Sequence, residues 1–193
     1  MKTTIIISSI SFLLLFPFVS IAQHKYEREY RMKSEMIPQS AKRFIDSIST
    51  DLKVKWYKEI GLNDVSFEAK FKHKNKQFSV EFDTLGILQD VEFVIKKCEI
   101  APKVYNKIKG KLDSLYQKWK FQKIQMNYTG SNNNLITSIK KNKPTDRIKF
   151  SYEIVLKGKA LGNTHLYEIT FNDQGEMQNI QQIVQDKADH LEY

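Results

Sequence analysis

The chain has 193 residues, 41% of them hydrophobic and 12% aromatic, with 31 Lys and Arg against 22 Asp and Glu. That composition excludes a disordered chain, and one Cys excludes an internal disulfide framework or a cysteine-based zinc site. Seven Gly are too few for a fold built on phosphate-binding loops.

Residues 1–22 read as a secretory signal peptide. Lys2 supplies the charged start, Ile5–Ile10 and Phe12–Phe16 the apolar core, and Ser20-Ile21-Ala22 a small-x-small cleavage site between Ala22 and Gln23. The apolar core is short for a span of about 20 residues. An exported protein that is not an integral membrane protein after cleavage is expected, in the periplasm or the medium. Residues 23–36 are charged and read as a mobile arm or short edge element.

From 37 to 97 the pattern is one helix and four strands. Pro38 precedes Ala41, Phe44, Ile45 and Ile48, an apolar stripe behind a helix-starting proline. Strands follow around Trp56, over Val65–Lys72, and over 78–95. In them apolar and polar residues alternate, as a sheet with one buried face requires. Residues 98–186 give the pattern again. Pro102 precedes Tyr105, Ile108, Leu112 and Leu115, and strands follow around Trp119, over 148–157 and over 167–184. FSVEFDTLGILQDVEFVI at 78–95 matches YEITFNDQGEMQNIQQIV at 167–184, with Gly86 against Gly175 in the turn. The expected fold is α+β: two tandem helix-plus-four-stranded antiparallel sheet units, helices on one sheet face. Residues 130–146 read as a polar loop inserted in the second unit, and 187–193 as a tail.

Helices on one side leave the other face of each sheet open. By alternation that face carries Tyr57, Glu59, Glu68, Lys70, Glu81 and Glu92 in the first unit, and Glu153 and Glu168 in the second. These are the candidate partner-binding residues. Asp90, Asn179 and Gln181 fall on the same face. Cys98 reads as a buried or linker residue between a strand and a helix. The four histidines lie too far apart in sequence for a local metal motif, and no nucleophile signature or phosphate loop occurs. No catalytic residue, cofactor or metal is expected, and the chain reads as non-enzymatic. The excess of lysine attracts anionic polymers. Export argues against nucleic acid as the partner and leaves anionic envelope polysaccharide as an alternative. Asp83-Thr84-Leu85 fits an Asp-Ser/Thr-aliphatic pattern for O-glycosylation of exported proteins, with Thr84 on a turn.

The run VKWYKE, then SFEAKFKHKNKQFSVEFDTLG, then DVEF, behind the Pro38 helix, resembles the PepSY-like proteins exported by Bacteroidetes. These share a fold with the beta-lactamase-inhibitor protein. The resemblance implies a tandem helix-plus-sheet fold and a role in binding or restraining a protein or peptide in the cell envelope. It implies no catalytic residues.

Overall fold

The computed structural model describes residues 23–26, 28–62 and 64–184. The expected signal peptide and the tail at 187–193 lie outside these residues.

All ten strands belong to one sheet, in the order β1-β10-β9-β8-β7-β6-β5-β4-β3-β2. They are β1 (Gln23–Lys25), β2 (Arg28–Met32), β3 (Lys55–Ile60), β4 (Val65–His73), β5 (Lys76–Phe82), β6 (Leu88–Val94), β7 (Lys118–Thr129), β8 (Lys149–Ala160), β9 (Asn163–Asn172) and β10 (Met177–Ile183). Three helices accompany them: α1 (Gln39–Ile48), α2 (Pro102–Leu115) and α3 (Asn132–Lys141). The expectation of two tandem units is therefore corrected. β6 pairs antiparallel with β7, Val91 opposite Tyr128 and Phe93 opposite Met126, so the ladder runs unbroken where a boundary between units was expected. The segment 130–146 is not a plain loop either. It holds α3, whose Leu135 and Ile139 are buried, and α3 lies beside α1.

The charged arm forms strands at both ends of the sheet. Lys25 in β1 pairs in parallel with Ile183 of β10, while Arg28 in β2 pairs antiparallel with Ile60 of β3. Three residues of chain span at most about 11 Å. The edges of a flat ten-stranded sheet stand about 43 Å apart. The sheet must therefore curl until its ends meet, and β1 and β2 act as one closing stave between β10 and β3. The directions agree: β3 and β10 run oppositely, and one stave can be antiparallel to the first and parallel to the second.

The apolar side chains line the outside of this ring. Phe67, Ala69 and Phe71 of β4 stand opposite Phe82, Val80 and Phe78 of β5, and Val91 and Phe93 continue the row on β6. On the other half, Tyr152, Ile154 and Leu156 stand opposite Phe171, Ile169 and Tyr167. The helices cover them. α1 buries Ala41, Phe44, Ile45 and Ile48, and Phe44 meets Phe82 edge-on at 5.7 Å between ring centres. α2 starts on Pro102, whose missing N–H costs nothing there, and buries Ile108 and Leu112. The two matched turns do the same work under both helices. Gly86 and Gly175 sit at φ +77° and +76°, where a Cβ would press on Pro38 and on the Val104 carbonyl respectively. Cys98 is exposed, in the 3-10 turn Lys97–Glu99, rather than buried.

Candidate functional site: a polar lumen

The inward face is the face expected to be open. Every residue singled out for it points there by register: Tyr57 opposite Glu68, Glu68 opposite Glu81, Glu81 opposite Asp90, and Glu59 opposite Glu29. Lys70 stands opposite Lys55 and Ser79, Glu92 opposite Ser79 and Asn127, Glu153 opposite Gln125, and Glu168 opposite Val155 and Gln181. One correction applies. The curl of the sheet buries this face, so that Glu59, Glu68, Glu168, Ser79 and Gln125 each retain under a tenth of their exposure. What remains is a cavity of about 790 Å³ lined from nearly every strand. That volume falls in the range of small-ligand sites.

Carboxylates directly opposite one another repel, so three such pairs along one band need a counterbalance. At one end Lys70 supplies it. Its ammonium lies 2.8 Å from both Glu29 and Glu68 and 4.9 Å from the centre of the Tyr57 ring. At the other end Lys25 holds both carboxylate oxygens of Glu168, at 2.8 and 2.9 Å. Ser79 donates to Glu68. The middle is held by neutral groups. Gln125 Nε2 donates to Glu92 at 2.6 Å, and Asn127 Nδ2 donates to Asp90 and Glu92 at 3.2 and 3.3 Å.

The remaining counterbalance is protons. Burial, with the Glu68 carboxylate next to it, pushes Glu59 up to about 10. Burial, with Asp90, pushes Glu92 up to about 7. Burial, with Glu92 and Glu168, pushes Glu153 up to about 9, and Glu92 and Glu153 hydrogen-bond each other. Burial raises Asp90 as well, against the pull of Asn127 and Lys25. That last influence is a sign of the curl. Lys25 and Asp90 lie on strands five places apart, about 24 Å in a flat sheet.

Sequence reasoning missed Lys25, Glu29, Ser79, Gln125 and Asn127 as members of the site. Period-two alternation through β5 and β7 marks Ser79, Gln125 and Asn127. In the arm, Lys25 and Glu29 share the register opposite Tyr26, Tyr30 and Met32, a signal weakened by the charges in both registers. Among the described residues, one group could bring three carboxylate oxygens within 4.8 Å, namely Glu29, Glu59 and Glu68. Lys70 already occupies it. Thr84 lies exposed on the β5–β6 turn, where the Asp83 carboxylate accepts from the backbone N–H groups of Leu85 and Ile87.

No family model matches the chain, and no curated protein matches it. Solved structures do. A DUF2874 family protein from Bacteroides ovatus ATCC 8483 is 16% identical, with TM-score 0.52, over 81% of this chain and 94% of that one. A protein from Bacteroides eggerthii DSM 20697, provisionally named as periplasmic, is 14% identical, with TM-score 0.50, over 76% and 88%. A BLIP-like protein from Bacteroides fragilis NCTC 9343 is 13% identical, with TM-score 0.47, over 80% and 92%. The first two share the fold of this chain. No described helix is long and apolar enough to cross a membrane.

Proposed function

We propose that the protein is a non-enzymatic binding module of the cell envelope that takes its ligand into the polar lumen. The observation that carries this reading is the buried band of carboxylates around the cavity. Evolution of a stable core favours apolar residues inside a closed ring. Here the apolar residues are outside under helices, and the costly groups are gathered inside. The export expected from residues 1–22 and the periplasmic naming of a fold relative support an envelope location. A cavity of about 790 Å³ admits a small molecule or a short peptide segment, not the flat face of a folded partner. The expectation of protein docking on an open sheet is narrowed accordingly.

The test is native mass spectrometry of the protein after incubation with envelope extract. A retained mass is expected, and it should disappear in a Ser79→Phe variant that fills the lumen while melting cooperatively. Retention undiminished by that variant would place binding elsewhere and end the proposal. A second reading rests on Lys103, Lys107 and Lys111, exposed at intervals of four on α2. They form a basic stripe suited to an anionic polymer. Binding there would fade as salt rises and would survive Ser79→Phe.

A further inference from the structure

The two ends of the carboxylate band are filled by the protein's own ammonium groups, and the centre is not. Among the described residues, no lysine or arginine forms an ion pair with Asp90, Glu92 or Glu153. A separate observation points to what the centre receives. Gln125 is 96% buried by its 4% residual exposure and lines the cavity. Its Nε2 is committed to Glu92. Its Oε1 is buried with no hydrogen-bond donor, and so is Asp90 Oδ1. With Nε2 donating to Glu92, the other atom of the amide faces the cavity. A buried acceptor left unmatched is costly. Of the donors nearby, Asn127 Nδ2 is already committed to Asp90 and Glu92, and Lys25 and Lys123 act on the three carboxyls through their charge, so the partner that suits the orphan is a donor entering from the cavity.

We propose that the centre of the lumen binds an amine cation, seated between Glu92 and Glu153, with Gln125 Oε1 accepting one of its hydrogens. This rests on the lumen being the binding site and names the chemistry of what enters it. Lys70 is the internal precedent: an ammonium held by two carboxylates over an aromatic ring in the same cavity. A divalent metal fits less well. Among the described residues, Glu92 and Glu153 do not belong to a group of three carboxylates close enough to share an ion, and the group that does is taken by Lys70. The ammonium is also the right size of charge. Glu92 and Glu153 hydrogen-bond each other and are both raised above the usual carboxylate range, and one entering cation in exchange for one proton leaves the net charge unchanged.

The amine can belong to a free small molecule or to a lysine side chain on a peptide. Calorimetric titration of the protein separates the two. One arm uses cadaverine, with pentanediol as the uncharged control. The other uses acetyl-Gly-Lys-Gly-amide, with the same peptide acetylated on the lysine as control. Binding is expected in at least one arm and in neither control. Glu153→Gln, isosteric with the protonated acid, should weaken it about tenfold, the scale of a hydrogen bond to a charged group. Gln125→Leu should weaken it less, and Lys103→Glu not at all. Because a proton leaves as the cation enters, binding should tighten between about pH 6 and about pH 9. The groups facing this pair are Asp90 on β6, Glu81 on β5, Glu68 on β4, Lys123 on β7, Glu168 on β9 and Lys25 on β1. No heat in either arm, equal binding of a control, or Glu153→Gln binding as well as the parent would overturn the proposal. If the amines fail while an envelope component is still lost on Ser79→Phe, the lumen remains the site and only its cationic ligand is refuted.

Discussion

The outer and inner faces of the same strands obey opposite rules. On β4 and β5, Phe67, Ala69, Phe71, Phe78, Val80 and Phe82 alternate with Glu68, Lys70, Ser79 and Glu81. The first set gains by leaving water, at roughly 25 cal/mol per Å² of apolar surface. The second set loses by it and is held by lysines, amides and retained protons. One face therefore stabilises the ring, and the other uses part of that stability to hold a charged cavity in shape. Along each strand the apolar outward residues and the polar inward residues do not overlap.

The largest expected effect breaks the outer face. Phe82 is fully buried beneath α1 and against Trp56 and Phe44. Phe82→Ala should cost about 3–5 kcal/mol in denaturant unfolding, the usual loss for a buried phenylalanine. A loss below about 1 kcal/mol would mean that the helix layer does not carry the fold.

The inner face should answer to pH instead. Glu59, Glu92 and Glu153 keep protons in the fold, up to about 10, about 7 and about 9, but release them near 4.5 when unfolded. Their contribution is complete below about pH 4.5. It declines as pH rises through the folded values, because the unfolded chain then sheds protons that the folded one retains. Melting temperature should fall from pH 5 to pH 9, by about 2–4 °C for each kcal/mol lost in a chain of this size. Glu59→Gln combined with Glu153→Gln should flatten that slope. A melting temperature that climbs with pH would show these carboxyls to be ionised.

A smaller effect probes the seating of α2 on the ring. Gly175→Ala puts a Cβ 2.9 Å from the Val104 carbonyl at a backbone φ of +76°. It should cost about 1–2 kcal/mol, read by thermal unfolding. Smallest of all, Lys103→Glu with Lys107→Glu should alter stability by less than about 0.5 kcal/mol, since both side chains are exposed.

The same contrast explains how much of the molecule could be read from its sequence. Alternation alone assigns Glu68, Glu81, Glu92, Glu153 and Glu168 to one face, because a strand has a period of two. The helices α1 and α2 follow from their stripes and prolines. Closure could not be read. The arm HKYEREYRMK alternates only weakly, with Tyr26, Tyr30 and Met32 in one register among charges, and its strands exist because two free edges offer them hydrogen bonds. The β6–β7 pairing that merges the expected units is also a long-range choice of partner, invisible in either strand. α3 was hidden by its Asn-rich start, although Leu135, Ile136 and Ile139 carry a short helical pattern. The site was half legible for that reason: its residues were on the page, but not the curvature that buries them.

Residues 23–32 have one more consequence. Strands at the rim of an open sheet are templates for any chain that can pair with them, and many proteins guard them with lysines or bulges. The stave covers β3 and the end of β10, Gln181–Ile183. The protein should accordingly stay monomeric at high concentration, while a chain shortened to begin at Ser34 would expose β3 and β10 together. Copies of that shortened chain should stick to one another, edge to edge, in sedimentation experiments. The stave is thus a guard against self-association as much as a wall of the cavity.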